Sequence, residues 1–515
     1  MTSESRSFWK SDGPFRGVRS LWSGWVLFFC IFGAPVQARE FTVVVYNVEN
    51  LFDVDGVAVF EDYRQGPKDN PLRYSRRKLL TKLENTVAVL KEFGDGAGPE
   101  VILFQELEAD FTPDSSVEDY DAFLEKFRST TAAAMLTDGR RSEYEGFPAE
   151  AWLLKAMADR GMRGYEVVVS PAKQKEQRIA HTNAVFSKFP VISARQHPLR
   201  KARDILEVEL DVEGSPLVVY NNHWKSGASN PNSEPIRVAN ARVLRKLLEE
   251  RLNKEPFADV IAGGDLNAHY NHAKLFPDMK TGINHVLGSQ GNERALQRKD
   301  GPDLYNLWFE LPPEERYSEV WRGRRGALMH LLLTRGLYDK GGIRYIDGSF
   351  DKLVLPGVNA DALGRPLRWT FAGRAGGGYS DHFPLYARFT TTEGARGDFF
   401  ELETPSAGND APEEEIPLTY EPELDLELKD GSFLNELAFK ELGPWVGRLF
   451  VIEAQVKEVN PLRLIVEGKS WPAYAPQDSV YERLVELAGE GKHGLVARAG
   501  IWKGDPQLVI EGFME

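Results

Sequence analysis

The segment VIAGGDLN, residues 260–267, decides the fold that the sequence predicts. It begins as an apolar, β-branched run typical of a buried strand and passes directly into Asp265 and Asn267. The segments FTVVVYNV (41–48) and LVVYNNH (217–223) have the same form, an apolar run that ends in Asn or His. Buried strands of this kind, interleaved with helical patterns, indicate a layered α/β domain.

Helical patterns lie between several of these strands. Residues 75–93 repeat Leu and Val at helical spacing behind Ser75, a candidate N-cap, and residues 234–253 form a second pattern. Further strands are predicted at 101–106, 165–170, 182–187 and 383–389.

Composition limits the class of protein. The chain has 515 residues, enough for two or three domains, and 42% of them are hydrophobic, as in a globular protein. Its formal charge of −14 argues against a protein that coats nucleic acid through bulk positive charge, although a local basic groove remains compatible with it. The single Cys, Cys30, excludes internal disulfides and a thiolate zinc cluster.

The N-terminus resembles a secretory signal peptide. A basic leader precedes the uncharged apolar run 21–34, and small residues follow up to Ala38. We expect cleavage after Ala38 and a secreted or periplasmic protein without a stable membrane anchor. A retained anchor is the alternative, but the run is shorter than the roughly 20 residues that a span needs.

The rest of the chain divides into three predicted parts, 39–390, 391–430 and 431–515. The first carries the α/β pattern, and the second is an acidic linker with 13 Asp or Glu residues. The third recovers strand alternation around one helical insert at 480–492, which suggests a small β-barrel. Its phrase ARAGIWKGDPQLVI resembles the last hairpin of oligonucleotide-binding barrels (OB-folds). A plain β-module that docks on the larger domain is the alternative.

Five predicted strand ends or loops carry residues suited to chemistry. Because loops at strand ends bring distant residues together in α/β folds, we expect these side chains to converge. They are Asn47 with Glu49, Glu106, His223, Asp265 with Asn267, and Asp381 with His382.

These residue types support hydrolysis of a phosphate ester. Hard oxygen ligands from Asn47, Glu106 and Asp381 suit Mg²⁺, Mn²⁺ or Ca²⁺ better than zinc. Asp265 could orient or deprotonate a water molecule. Asn267 and His223 could donate hydrogen bonds to the charged phosphate oxygens. His382 could abstract a proton or stabilise the pentacovalent phosphate.

Five ordered motifs in residues 40–390 resemble the endonuclease/exonuclease/phosphatase superfamily. They are VYNVENLFD, FQE, NNHWKS, GGDLN and YSDHFP. The resemblance implies a four-layer α/β sandwich, two packed β-sheets flanked by helices, with the site at one edge. It also implies that Asn47, Glu106 and Asp381 surround the metal. Water and phosphate would then be held by Asp265, Asn267, His223 and His382.

One position departs from the family pattern. The family carries an Asp in a segment shaped like Leu-Asp-His-Ile-Leu, where it orients the histidine of the Ser-Asp-His motif. Here Met329 stands at that position, in ALMHLL. The substitution leaves His382 without the expected acidic partner, so weak activity, a different partner or lost activity are all open.

Other residues have two interpretations each. Lys225 and Arg237 are predicted to contact phosphate, or else to belong to a solvated loop. The basic stretch 64–78 could line a nucleic-acid path or form a solvated face. Glu49 and Asn50 could support the metal ligands or only bond the turn, and the pair His269 and His272 could suggest zinc, although no third ligand is apparent.

The sequence as a whole favours a secreted, Mg²⁺-dependent phosphoesterase, with Mn²⁺ or Ca²⁺ as other metals. We expect a DNA or RNA phosphodiester as its substrate, because of the basic stretch, the barrel-like C-terminus and the external destination, where nucleic acid is a nutrient. A phosphatase or sphingomyelinase-type phosphodiesterase on a small or lipid phosphate is one alternative. A catalytically impaired nucleic-acid-binding protein is the other.

Overall fold

The structure is a computed structural model that describes much of the chain. The described residues are 38–55, 64–65, 70–71, 74–111, 117–138, 144–173, 179–292, 296, 304–321, 324–361, 363–371, 374–402, 449–502 and 505–514. The signal peptide up to residue 37 and linker residues 403–430 lie outside these ranges, and both remain predictions.

Helices and strands are numbered here in chain order. The helices α1–α7 are Arg76–Leu90, Tyr120–Lys126, Ala132–Thr137, Ala149–Asp159, Glu234–Lys254, His272–Leu275 and Asp478–Glu486. Shorter 3-10 or π segments are Gly94–Gly96, Pro231–Ser233, Gly282–Val286, Leu307–Glu310, Pro313–Glu315 and Arg335–Tyr338. The strands β1–β12 are Glu40–Leu51, Arg64–Gln65, Asn70–Pro71, Val101–Glu108, Glu166–Val169, His181–Ser187, Val191–His197, Ile205–Val212, Ser215–His223, Asp259–Asp265, Ser289–Gln290 and Leu304–Asn306. The strands β13–β23 are Glu319–Trp321, Arg324–Gly326, Met329–Leu333, Gly341–Tyr345, Asp351–Lys352, Leu385–Glu393, Leu449–Val459, Leu462–Val466, Lys469–Tyr474, His493–Trp502 and Asp505–Phe513.

Two large sheets form the centre of the α/β region. The first has the order β16-β18-β1-β4-β6-β5, with β17 beside β18, and the second has the order β11-β12-β15-β10-β9-β8-β7. Apolar side chains from both sheets share one buried cluster, which includes Val43, Leu103, Val219 and Ile261. The sheets therefore pack face to face, as the sequence predicts.

Helices cover the outer faces of both sheets. On the first sheet, α1 to α4 bury Leu83 and Trp152 in a cluster with Phe104 of β4. On the second, α5 buries Leu244 and Leu248 in a cluster with strands β9 and β10. The arrangement is helices, sheet, sheet, helices, which confirms the four-layer α/β sandwich.

The predicted elements lie close to their expected positions. The Ser75 side chain accepts a hydrogen bond from the amide of Lys78 and caps α1, as predicted. The helix expected at 480–492 ends at Glu486, and Gly489 follows with a positive φ of 85° that ends helical geometry. Among the described residues, no helix combines the length and the hydrophobicity needed to cross a membrane.

Gly264 allows the central strands β9 and β10 to pair closely. It has a φ of 126°, and a Cβ at this position would lie 2.0 Å from the carbonyl oxygen of Asn222. Any side chain there would push β10 away from β9. The second Gly of the GGDLN motif is thus required by backbone packing beside the site.

The C-terminal segment forms a closed barrel, as the sequence predicts. Its strands pair in the order β19-β20-β21-β23-β22, with β22 returning to β19, and α7 lies between β21 and β22. Buried apolar residues such as Ile452, Leu464 and Leu484 fill it. Its assignment as an OB-fold stays a prediction.

Two ordered contacts adjust the predicted domain boundaries. Residues 391–402, assigned from sequence to the linker, still pack on the α/β region, where Arg396 donates hydrogen bonds of 2.6 and 2.7 Å to Asp259. The barrel contacts the same region through a 2.5 Å ion pair between Arg365 and Glu511. The acidic composition did not reveal these contacts, because each depends on a partner distant in sequence.

Candidate active site

Parallel pairing brings the predicted strand ends together. In the first sheet β1 pairs with β4 so that Asn47 lies opposite Gln105, one residue before Glu106. In the second sheet β9 pairs with β10 so that His223 lies opposite Asp265. Because the two sheets pack face to face, their strand ends meet at one edge of the sandwich.

Asp265 lies at the centre of the cluster. Its Oδ2 accepts a 3.1 Å hydrogen bond from Nδ2 of Asn47, and its Oδ1 accepts a 2.9 Å bond from the amide of Asn267. The same Oδ2 lies 3.6 Å from Nε2 of His223 and 3.8 Å from Nε2 of His382. The structure thus brings together the four residues predicted to act on water and phosphate.

The predicted metal ligands belong to the same cluster. Asn47 Nδ2 donates a 3.3 Å hydrogen bond to Oε1 of Glu106, and Asp381 Oδ1 lies 3.8 Å from Nε2 of His382. Asp381 Oδ1 is buried and has no hydrogen-bond partner, as expected of an oxygen placed to bind a ligand. This orphaned oxygen and the all-oxygen donor set fit a hard divalent cation.

A second acidic cluster lies beyond the end of β4. Carboxylate oxygens of Asp53, Asp55 and Glu108 lie within 4.8 Å of one another. Two of these groups already accept hydrogen bonds from backbone amides of the loop, since Asp53 N donates to Glu108 and Asp55 N donates to Asp53. The Glu106 cluster differs from this one because it also contains the two site histidines and Asp265.

The two site histidines have opposite electrostatic environments. Burial lowers the pKa of His223 well below its usual value, and nearby cations, Arg203 first among them, lower it further. Burial would also lower the pKa of His382, but carboxylates, led by Asp381 and Asp265, outweigh it and raise that pKa to about 9. The pKa values of the two rings are therefore shifted in opposite directions, that of His223 toward the neutral form and that of His382 toward the imidazolium.

A row of hydrogen bonds that the sequence did not indicate runs from Arg203, beside His223, to Glu106. Arg203 Nη2 donates a 2.8 Å hydrogen bond to Nδ1 of His181, whose Nε2 lies 2.8 Å from Oδ1 of Asn50. The Asn50 amide then donates a 3.1 Å bond to Oε2 of Glu106. Asn50 therefore supports a predicted metal ligand, and His181 and Arg203 are site residues that sequence reasoning missed.

Arg368 forms ion pairs on the Asp381 side of the cluster. Its Nη2 lies 3.1 Å from Oε1 of Glu49 and 3.2 Å from Oδ2 of Asp381. Glu49 also accepts a 2.7 Å hydrogen bond from the amide of Trp369, so it fixes Arg368, which in turn fixes Asp381. The guanidinium lies over the ring of Trp321, whose side chain is 53% exposed.

The prediction that Arg237 contacts phosphate is wrong. Its side chain is fully buried and donates a 2.6 Å hydrogen bond to Glu234. Its Nη1 donates to the carbonyl oxygens of Lys225 and Gly227 at 3.2 and 3.0 Å. Arg237 therefore shapes the loop that carries Lys225, whose ammonium group is partly exposed beside Ser226.

The other basic and histidine candidates lie outside the cluster. In the basic stretch, Arg76 pairs with Glu145 at 2.5 Å and Arg77 is exposed, whereas Lys68 and Arg73 lie outside the described residues. His272 Nε2 lies 3.1 Å from Oε2 of Glu234, and no third ligand completes a zinc site with His269 among the described residues.

Met329 occupies the position where the family pattern has an acid. It is fully buried and pairs with Asp265 across β15 and β10. The Nδ1 atom of His382 is buried and has no hydrogen-bond partner. Among the described residues, no acidic side chain therefore bonds Nδ1 of His382.

Backbone strain is concentrated at these strand ends. Glu49, Asn50, Glu106 and Asn267 have positive φ values of 45°, 61°, 64° and 49°. Such conformations cost roughly 1 kcal/mol or more for residues with a side chain, and they cluster at functional sites. Here each one turns a side chain or an amide toward the cluster.

Comparison with known proteins agrees with this geometry. Residues 178–391 match the sequence model of the Endonuclease/Exonuclease/phosphatase family, a range that includes His223, Asp265, Asn267, Asp381 and His382. No curated protein matches the chain.

The matching solved structures have low sequence identity and low TM-scores. TDP2 from Caenorhabditis elegans is 15% identical over 68% of this chain and 74% of that chain, with a TM-score of 0.35. The human Nocturnin catalytic domain with bound sulfate anion is 14% identical over 68% and 95%, with a TM-score of 0.35. An endonuclease/exonuclease/phosphatase family protein from Bacteroides thetaiotaomicron is 12% identical over 72% and 98%, with a TM-score of 0.36.

The family match covers the second sheet, the GGDLN loop and the Ser-Asp-His segment, where the structure places most of the clustered residues. Over residues 178–391, this chain is similar to the endonuclease/exonuclease/phosphatase family.

Proposed function

We propose that this protein is a secreted or periplasmic, divalent-metal-dependent phosphodiesterase that hydrolyses DNA or RNA. One observation carries the proposal. His223, Asn267 and His382 surround Asp265, and the carboxylate of Glu106 lies beside them. A carboxylate for water, donors for phosphate and an oxygen-lined cation site together suit hydrolysis of a phosphate ester.

The reaction divides between the residues of the cluster. Asp265, held by Asn47 and Asn267, orients the attacking water and takes up its proton. Burial raises the pKa of Asp265, which makes it a better base than an exposed carboxylate. Its position is fixed by two hydrogen bonds, so little reorganisation accompanies the attack.

The two histidines have different tasks because their charges differ. His223, a neutral ring, donates one N–H to a phosphate oxygen, and Asn267 adds an amide donor. His382, an imidazolium, stabilises the charge that develops on the phosphate and on the leaving oxygen. A divalent cation bound by Glu106, Asn47 and Asp381, with Mg²⁺ as the first choice, would supply Lewis-acid polarisation of the phosphate.

A polyanionic substrate is favoured by the charges around His223. Lys201, Arg203 and Lys225 lie close enough to affect each other or His223 electrostatically, and we call them the cationic rim. Phosphates next to the one being cleaved would find partners there. A substrate with a single phosphate and no neighbours would leave most of the rim unused.

A panel of phosphate esters tests the proposal. Supercoiled plasmid, single-stranded RNA, an inositol phosphate and sphingomyelin are incubated with Mg²⁺, Mn²⁺ or Ca²⁺, and with EDTA. We expect plasmid nicking or RNA cleavage that EDTA and His223→Ala abolish. Hydrolysis of the inositol phosphate or sphingomyelin, with nucleic acid intact, would replace the nuclease by the small-phosphate or lipid enzyme.

A catalytically impaired binding protein is the second candidate, and Met329 is the observation in its favour. The absence of turnover on every ester, together with retained DNA binding in a filter assay, would support it. Salt-sensitive binding that weakens when Lys201 and Lys225 are changed to Met would locate the contact at the cationic rim.

A further inference from the structure

A cavity of about 380 Å³ lies beside the loop that follows the GGDLN motif. This volume falls in the range of small-molecule sites, roughly 300–1,000 Å³. Its lining combines two aromatic rings with three amide side chains, from Tyr270, Phe309, Asn271, Asn284 and Gln290. These residues are not part of the active-site cluster, so the cavity needs an explanation of its own.

The cavity lies close to the catalytic strand β10. Tyr270 lies three residues beyond the GGDLN motif, so its Cα is within about 11 Å of the Cα of the last residue of the motif. On the other wall Trp308, the neighbour of Phe309, donates a 2.7 Å hydrogen bond from Nε1 to the carbonyl oxygen of Met329. Met329 pairs with Asp265 across β15 and β10. A strand cleaved at Asp265 therefore has its neighbouring nucleotides within reach of the cavity.

Arg316 holds the two aromatic walls in place. The rings of Tyr270 and Phe309 meet edge to face, with centroids 5.2 Å apart. The Cζ atom of Arg316 lies 5.2 Å from the centroid of Tyr270 and 5.1 Å from that of Phe309. Its Nε donates a 2.7 Å hydrogen bond to the carbonyl oxygen of Leu311. All three side chains are buried, so the rings are fixed before a ligand enters.

Asn284 fixes the shape of the cavity. Its Nδ2 donates hydrogen bonds to the carbonyl oxygens of Tyr270 at 2.7 Å and Ser289 at 3.3 Å. Its Oδ1 accepts a 2.9 Å bond from the amide of Ala273. One side chain therefore joins three segments of the wall, and little ordering is left for a ligand to impose.

Two polar groups of the lining are available to a ligand. Within the described residues, neither the Tyr270 hydroxyl nor the side-chain amide of Gln290 forms a hydrogen bond. Tyr270 is 95% buried, and a buried phenol usually has a partner. Both groups can donate and accept. Aromatic walls with such groups beside them match the ring and the polar edge of a nucleobase.

We propose that this cavity binds one unpaired nucleobase of the substrate strand, close to the phosphate cleaved at Asp265. The inference rests on the proposed nuclease function and makes Tyr270, Phe309 and Gln290 specificity-determining residues. A base inside a duplex has its faces covered by its neighbours and its edge by its partner, so only a single-stranded or extruded base can enter. The substrate class is therefore a nucleic acid strand that is unpaired where it is cleaved.

A scan of abasic sites along a short single strand tests the proposal in the full-length protein with Mg²⁺. Each oligonucleotide lacks one base, and its kcat/KM is compared with that of the intact strand. We expect one position close to the cleaved bond at which loss of the base lowers kcat/KM about tenfold, the size of one base contact. Ala273→Phe fills the cavity and should reduce this ratio to about twofold or less.

Two smaller substitutions keep the test decisive if Ala273→Phe does not fold. Tyr270→Phe removes only the hydroxyl and Gln290→Ala only the amide, and each should lower the ratio of intact to abasic strand severalfold. The ratio is taken within one variant, so a general loss of activity cancels. Gln507→Ala on the barrel is the matched control and should keep the wild-type ratio. A wild-type ratio near one at every position overturns the proposal, and so does an unchanged ratio in the folded cavity variants.

A binding measurement without turnover separates this proposal from the proposed function. With EDTA present, the four nucleoside 5′-monophosphates and ribose 5-phosphate are titrated into the wild type by calorimetry. We expect at least one nucleotide to bind about tenfold more tightly than ribose 5-phosphate, and Ala273→Phe to remove the difference. If this pattern appears in a protein that cleaves nothing, the proposed function fails and the nucleobase cavity stands. Equal or undetectable binding of all five probes overturns the cavity.

Discussion

Two polar clusters of this molecule differ in how completely their charges are paired. In the active-site cluster, Nδ1 of both site histidines and Oδ1 of Asp381 are buried without hydrogen bonds. At the contact with the barrel, Arg365 lies 2.7 Å from Asp361 and 2.5 Å from Glu511, and Arg498 lies 2.6 Å from Glu511. Each charge there has an oppositely charged neighbour, although Nη2 of Arg365 remains unpaired.

This difference in pairing distinguishes a binding site from a contact that only stabilises the fold. Unpaired buried polar atoms cost free energy, so a fold retains them where a ligand can complete them. In an alternating row of charges, by contrast, each charge already has an opposite neighbour, and the row holds two parts of the chain together. The two clusters should therefore respond in opposite ways to substitution, one through activity and the other through stability.

The largest effect should come from Asp265→Asn. Loss of the carboxylate removes the base and the charge opposite both histidines, and we expect kcat to fall about 1,000-fold or more. The melting temperature should stay the same or rise, because a buried charge disappears. A large fall in melting temperature would assign Asp265 a structural role and weaken the contrast between the clusters.

Next in size is Glu511→Gln at the barrel contact. It leaves Arg365 and Arg498 facing a neutral amide, which should lower the free energy of unfolding by about 3 kcal/mol in urea titrations. The exposed Glu453→Gln on the same barrel is the control. Activity measured well below the unfolding transition should remain near wild type, and its loss would mean that the barrel contact also serves catalysis.

A smaller effect is expected for Arg203→Met in the cationic rim. The change removes a charged donor beside His223 and breaks the bond to His181, so kcat/KM on nucleic acid should fall about tenfold, mostly through KM. Arg200 is an exposed neighbour, and Arg200→Met should leave kcat/KM unchanged. An equal fall in both variants would indicate general charge attraction instead of a specific contact.

The smallest effect concerns pH. Burial alone would raise the pKa of Glu511, but Arg365 and Arg498 outweigh burial and hold it below its usual 4.5. The carboxylate therefore contributes stability that is fully present above pH 4.5 and is lost as the pH falls through the lowered pKa. Urea titrations at pH 6 and pH 3.5 should show this loss in wild type and a smaller one in Glu511→Gln.

Much of the site could be predicted because its residues sit in short motifs at strand ends. Asn47, Glu106, His223 and Asp265 each follow an apolar run, and the parallel register that aligns them is a general property of buried strands. The four-layer fold and the barrel followed from the same patterns of alternating strands and helices.

The residues that were missed depend on contacts between distant segments. Arg203 and His181 stand in sequences without a motif, and each becomes part of the site only through a partner elsewhere in the chain. Arg237 was assigned to phosphate because a cation in a loop region looks available, whereas Glu234 on the same helix buries it. Sequence spacing does not show which cations are already paired.

The positive φ values at Glu49, Asn50, Glu106 and Asn267 have a consequence for engineering. Glycine would adopt each of these backbone conformations with less strain, yet the chain carries Glu or Asn at all four. The site therefore holds these side chains in a backbone conformation that costs free energy. Exchanging Asn50 for Gly should therefore raise the melting temperature and lower turnover. These positions are unsuitable for stabilisation by glycine substitution, and substitutions at them would change stability and activity in opposite directions.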